Sequence, residues 1–89
     1  MSQKIIFTQM ALEEYISWQS EDKKTLKRIN LLLQDIMRNG NIGIGKPERL
    51  KGDLSDYWSR RIDDKNRIVY RIIEESIEVV QCKTHYSDK

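Results

Sequence analysis

The chain carries one cysteine, one histidine and one proline among 89 residues. A single thiol, Cys82, closes no internal disulfide, which fits a reducing compartment. One Cys and one His make no zinc cluster, and no metal or other cofactor is expected. No apolar run approaches the ~20 residues that a membrane span requires, and Ile5-Ile6-Phe7 is too short for a signal peptide. A cytoplasmic protein without membrane association is therefore expected. No repeat, low-complexity tract or linker divides the sequence, so residues 1–89 read as one domain. A domain of this size without staples is marginally stable, which favours a homodimer or a tight partner.

What the chain does have is charge: 34% of its residues are charged against 38% hydrophobic, for a net +2. The net value says little about partners, but its distribution says more. Lys46, Arg49, Lys51, Arg60, Arg61, Arg67 and Arg71 fall within one short span. Such a density is either a solvated face or a phosphate-binding one.

Lys4 to Phe7 reads as a first strand. Thr8 caps a helix in which Leu12, Tyr15, Ile16 and Gln19 recur at helical spacing. Ser20 reads as a second cap, with Glu21 and Asp22 in the following first turn. Leu26, Ile29, Leu33, Ile36 and Met37 then form an apolar stripe that Gly40 ends. Gly40 to Pro47 is a connection, and beyond it the apolar period becomes alternating. Trp58 to Ile62, Arg67 to Ile73 and Ile77 to Tyr86 read as strands, with turns at Asp63–Asn66 and Glu75–Ser76. The order is β-α-α-β-β-β: an α+β domain, two helices packed on one face of an antiparallel sheet.

Alternation assigns the strand faces. Even positions Trp58, Ile62, Ile68, Tyr70, Ile72, Val80 and Cys82 are core-like, with Arg60 the exception. Odd positions carry Arg61, Arg67, Arg71, Gln81, Lys83 and His85, together with apolar Val69, Ile73, Ile77 and Val79. Four cations and the sole histidine on one face suit a phosphate-rich ligand.

The segment Gly40-Asn-Ile-Gly-Ile-Gly45-Lys46 has the spacing of a P-loop, but Pro47 stands where Ser or Thr must hold magnesium, and the segment follows a helix. Nucleotide hydrolysis is excluded, and a flexible connection is the plainer reading, with Lys46-Pro47-Glu48 set by the fixed φ of proline. His85 offers a proton near neutral pH, and Glu48 is a carboxylate among Lys46, Arg49 and Lys51. These residue types suffice for RNA cleavage. The RNA supplies its own 2′-hydroxyl nucleophile, so the protein needs only a base, an acid and cations for the crowded phosphorane.

The stretches Gly45-Lys-Pro-Glu-Arg-Leu-Lys51, Leu54-Ser-Asp-Tyr-Trp-Ser-Arg-Arg-Ile62, Asn66-Arg-Ile-Val-Tyr70 and Thr84-His-Tyr86 resemble the YoeB (Txe) toxins of the RelE superfamily. Tyr15, Trp18, Gln19, Asp22 and Lys23 are similar to that family's first helices. The resemblance implies a microbial-ribonuclease-like fold and the toxin of a toxin–antitoxin pair, an endoribonuclease that cuts mRNA in the ribosomal A site without a metal. It implies Glu48 as general base, His85 as general acid and Arg67 as the transition-state arginine. Tyr86 matches the neighbouring C-terminal tyrosine, and Lys51 and Arg61 match supporting cations, with Lys46 and Lys83 beside them. The implied partners are mRNA and ribosomal RNA, and a YefM-like antitoxin whose complex with the toxin binds operator DNA. The sequence departs from the family in its apolar residues 41–44 and in a tail, Ser87-Asp88-Lys89, beyond the His-Tyr pair. Two other readings stand against the ribonuclease: a gyrase poison, whose relatives lack the Glu/Arg/His set, and a noncatalytic nucleic-acid or protein-binding module on the same fold.

Overall fold

The computed structural model describes residues 4–83. Strand β1 (Lys4–Phe7) leads into helices α1 (Gln9–Glu21) and α2 (Lys23–Asn39), followed by β2 (Glu48–Arg49), β3 (Trp58–Arg61), β4 (Arg67–Ile73) and β5 (Ser76–Gln81). The strands form one sheet in the order β1-β5-β4-β3-β2. Two helices on one face of a largely antiparallel sheet is the expected α+β arrangement. The sheet differs from expectation at both edges. At one edge β1 runs parallel to β5; a parallel neighbour needs a long crossover, and the whole intervening chain provides it. At the other, Glu48 and Arg49 pair with Ser59 and Trp58 as a two-residue strand, in extended chain to which no strand was assigned.

The helix starts show which local signals act. Thr8 accepts the Ala11 amide at 3.2 Å and caps α1 as expected. The second cap is Asp22, not Ser20: its backbone is extended, and its Oδ1 accepts the amides of Lys24 and Thr25 at 3.1 and 3.3 Å. A carboxylate at that position satisfies two otherwise orphaned donors and favours the helix dipole, which a serine hydroxyl does less well. The hydroxyl of Thr25, bonded to Asp22, holds the Asp22 carboxyl below its ordinary range.

The core is one cluster of Ala11 and Trp18 from α1, Ile29, Leu32, Leu33 and Ile36 from α2, and Ile62, Ile68, Tyr70, Ile77, Val79 and Cys82 from the sheet side. The α2 stripe was legible, but the α1 stripe was not the expected one. Leu12 and Ile16 are 43% and 53% exposed, and the buried face of α1 runs through Ala11, Tyr15 and Trp18. Both sets have helical spacing, so periodicity alone cannot choose between them. Trp18 anchors the chosen face by donating its indole N–H to the Cys82 carbonyl at 2.9 Å.

Strand parity holds through β3 and β4 and fails in β5. Tyr70 pairs with Val79 and Ile72 with Ile77, so odd residues of β5 join the core. The register then shifts, with Val69 opposite Gln81. The shift leaves Val80 as the extra residue of a bulge and returns Cys82 to the core. Turn positions also move slightly: Glu74 and Glu75 form the last turn and Ser76 begins β5. The Asp63 turn is as expected, with Oδ1 accepting the amides of Lys65 and Asn66 at 2.8 and 2.7 Å.

Candidate active site

The face of the sheet turned away from the helices gathers Glu48, Ser59, Arg61 and Arg67. Glu48 lies opposite Ser59, Ser59 opposite Val69, and Arg61 opposite Arg67. Over the small residue at position 59, the Arg67 guanidinium reaches within 3.8 Å of the Glu48 carboxylate. Neither group is enclosed: the side chains are 23% and 63% exposed. The distance exceeds a hydrogen bond, so the pair is loose and open to an incoming group. Ser59 is fully buried, and its hydroxyl has no hydrogen-bond partner among the described residues. Neither composition nor spacing signalled that residue.

The supporting cations divide into two groups. Lys46, Lys51 and Arg61 are exposed. Lys46 stands at φ 52°, in the left-handed region, immediately before Pro47 and Glu48. Lys51 follows Leu50, which is 3% exposed and donates its amide to the Tyr57 carbonyl at 2.9 Å. Arg71 and Lys83, by contrast, are already paired. Arg71 meets Glu78 at 2.6 Å and lies 5.0 Å above the Tyr57 ring. That hydrogen bond raises the Arg71 pKa further. Lys83 donates to Glu21 at 2.6 Å and to Ser17 at 3.0 Å, and sits over the Trp18 ring. Its ammonium is thus taken up by α1 and does not join Glu48 and Arg67. The expected cationic face is therefore more mixed than alternation suggested, since Glu48 and Glu78 lie on it. His85 and Tyr86 fall outside the described residues.

Arg60, the exception to strand alternation, is fully buried and points into the core side. It holds the glycine-rich connection, which is consequently not a plain flexible link. The Arg60 guanidinium meets Asp35 at 2.6 Å and donates to the carbonyls of Gly40, Ile42 and Ile44 at 2.6, 3.3 and 3.0 Å. Two glycines permit this close wrapping. At Gly43 a Cβ would fall on the Asp35 carboxylate, and at Gly45 one would come within 2.7 Å of Leu32.

Among the described residues, no group of three His, Cys, Asp or Glu side chains could hold a metal ion. No helix among them is long and apolar enough to cross a membrane.

The family model for YoeB-like toxins of bacterial type II toxin–antitoxin systems matches residues 7–86. Toxin YoeB of Streptomyces coelicolor is 51% identical over 83 residues, 93% of this chain and 99% of that protein. The YoeB/ParE toxin from Agrobacterium tumefaciens superposes with a TM-score of 0.92 at 41% identity, covering 94% of this chain and 100% of that one. YoeB of Staphylococcus aureus is similar both as a dimer (TM-score 0.90, 46% identity, 97% of this chain and 100% of that one) and in a heterotetrameric YoeB-YefM toxin–antitoxin complex (0.88, 46%, 97% and 99%). With sequence and fold in agreement over nearly the whole length, the chain belongs to the YoeB-like toxins of bacterial type II toxin–antitoxin systems.

Proposed function

We propose that this toxin is a ribosome-dependent endoribonuclease that cleaves mRNA in the A site and so blocks translation in the cytoplasm. The observation that carries the reading is the Glu48–Arg67 pair: a carboxylate and a guanidinium 3.8 Å apart on an open sheet face. Glu48 takes the proton of the 2′-hydroxyl, and the 2′-oxygen attacks the adjacent phosphorus. Arg67 stabilises the charge that develops on the phosphorane oxygens. The bond from phosphorus to the 5′-oxygen breaks, and His85 supplies the proton that the leaving oxygen takes up, with Tyr86 beside it. The products are a 2′,3′-cyclic phosphate and a 5′-hydroxyl, and no metal is needed because the nucleophile belongs to the RNA.

Lys46, Lys51 and Arg61, exposed around the pair, contact phosphates. Lys83 serves the packing of the chain on α1 instead, because Glu21 and Ser17 hold its ammonium. The small domain has no base-reading module, so the ribosome supplies the docking surface and phosphate contacts supply the binding energy. A YefM-like antitoxin restrains the activity by laying an acidic, initially disordered segment across Arg61, Arg67 and Glu48. The toxin–antitoxin complex binds operator DNA, and the free toxin forms a homodimer.

The test is to incubate purified toxin with mRNA alone and with mRNA on ribosomes, with and without chelator, and to map new 5′ ends. New ends confined to A-site codons, and indifferent to chelator at levels that leave the ribosomes intact, are expected. Equal cutting of free message would remove the ribosome from the account. Ribosome binding without any cutting would leave only the noncatalytic module.

A further inference from the structure

The carboxylate of Glu48 does not hold itself in place. Its side chain is 63% exposed, its contact with Arg67 spans 3.8 Å, and its strand is two residues long. Its position is inherited from the backbone on either side. On the C-terminal side, buried Leu50 pins the chain. On the N-terminal side, residues 40–45 wrap around one buried guanidinium.

That guanidinium is completely satisfied. Arg60 has five N–H donors and makes five bonds: Nε to the Tyr70 hydroxyl (3.3 Å), Nη1 to Asp35 and the Ile44 carbonyl (2.6 and 3.0 Å), and Nη2 to the carbonyls of Gly40 and Ile42 (2.6 and 3.3 Å). Asp35 also accepts the Ile44 amide at 3.1 Å, and the Tyr70 hydroxyl donates to Asn41 at 3.1 Å. Gly45 then accepts the Arg61 amide at 2.7 Å, three residues before Glu48. Stability alone does not call for this arrangement, since a buried ion pair is commonly no better than a well-packed apolar residue. What an apolar residue cannot do is gather three carbonyls and a carboxylate in the plane of one fork.

We propose that Arg60, oriented by Asp35 and Tyr70, is a positioning residue for Glu48. By fixing the 40–45 segment it sets the place and angle at which the carboxylate meets the 2′-hydroxyl. The inference rests on Glu48 being the base. Small errors in such placement are costly in general, with a 1 Å shift able to cost ~10²-fold.

The experiment is a double-mutant cycle on ribosome-bound mRNA. Because Arg60→Ala takes the cationic partner from Asp35, orphans three loop carbonyls and threatens folding, the cycle uses Asp35→Asn and Tyr70→Phe, each alone and combined with Glu48→Gln. In the wild-type background each is expected to lower kcat about tenfold to a hundredfold while KM stays put. In the Glu48→Gln background neither lowers the rate further, because the group being positioned is gone. Equal fold-losses in both backgrounds would overturn the proposal, since they would reflect general damage. Amide exchange supplies an arm independent of cleavage. Selective acceleration at residues 41–50 in Asp35→Asn supports the clamp, whereas uniform acceleration or none across the sheet overturns it. If Glu48→Gln cleaves at the wild-type rate, the assignment of the base fails, and the exchange arm alone decides whether Arg60 holds the segment.

Discussion

Two arginines on neighbouring strands sit in opposite surroundings. Arg60 is sealed from solvent with all five donors engaged, and its carboxylate partner Asp35 is 2.6 Å away and only 18% exposed. Arg67 remains 23% exposed beside a Glu48 that is 63% exposed and 3.8 Å distant. A buried charge must be fully paired because its desolvation is expensive, so Arg60 has nothing left to offer a ligand. A loose surface pair is held by little, so Arg67 can exchange a carboxylate for a phosphate at small cost. Burial, rather than residue type, thus separates an arginine that holds the frame from one that stays open to a ligand.

The largest expected effect is on stability. Arg60→Ala removes one partner of the buried pair and orphans three loop carbonyls, and is expected to cost roughly 3–5 kcal/mol in urea unfolding. Arg67→Ala is the reverse case. Its unfolding free energy should move by less than about 1 kcal/mol. Its cleavage rate should fall by at least ~10²-fold, because transition-state charge is left unopposed. The comparison breaks if Arg67→Ala unfolds as readily as Arg60→Ala.

A smaller effect appears with pH. The Arg60 guanidinium, then the Ile44 amide and Asn39, hold the Asp35 carboxyl below its ordinary value of 3.8 against the opposing effect of burial. A depressed native pKa means that the unfolded state binds the proton more readily. The stability from this pair is therefore present above about pH 4 and is lost as pH falls through the native value. Unfolding midpoints measured down from pH 6 should show a steeper acid decline for the wild type than for Asp35→Asn. Identical slopes would mean that the pair contributes nothing differential. The smallest effect concerns Cys82, whose thiol burial pushes up to about 12. Alkylation at pH 8 should be slow in the native protein and in Arg67→Ala, and faster in Arg60→Ala, where the shared core opens more often.

Much of the scaffold was legible because its signals are local. The Thr8 cap, the α2 stripe, the Arg67–Ile73 strand and the Asp63 turn are each decided within a few residues. The misread features depend on distant chain. Arg60 was visible as a break in alternation, but its partner lies 25 residues earlier on α2, beyond the reach of any pattern. The parallel pairing of β1 depends on where β5 ends up, and the face of α1 depends on which stripe Cys82 and β5 meet. The bulge at Val80 reverses strand parity, so the odd apolar residues Ile77 and Val79 were assigned to the wrong face. In the site, the roles of Glu48 and Arg67 came through family resemblance, while their approach across Ser59 requires a β2–β3 pairing too short for any strand pattern to show. Lys83 was placed by alternation on the open face, although Glu21 draws its ammonium to α1.

If the exposed Glu48 carboxylate does the chemistry on a frame built around Arg60, cleavage depends on that carboxylate and docking does not. Single-turnover cleavage of ribosome-bound mRNA by Glu48→Gln, at saturating toxin, tests it most directly. A rate lower by ~10²–10⁴-fold with ribosome co-sedimentation unchanged is expected. A Glu48→Gln toxin that cuts as fast as the wild type would contradict it.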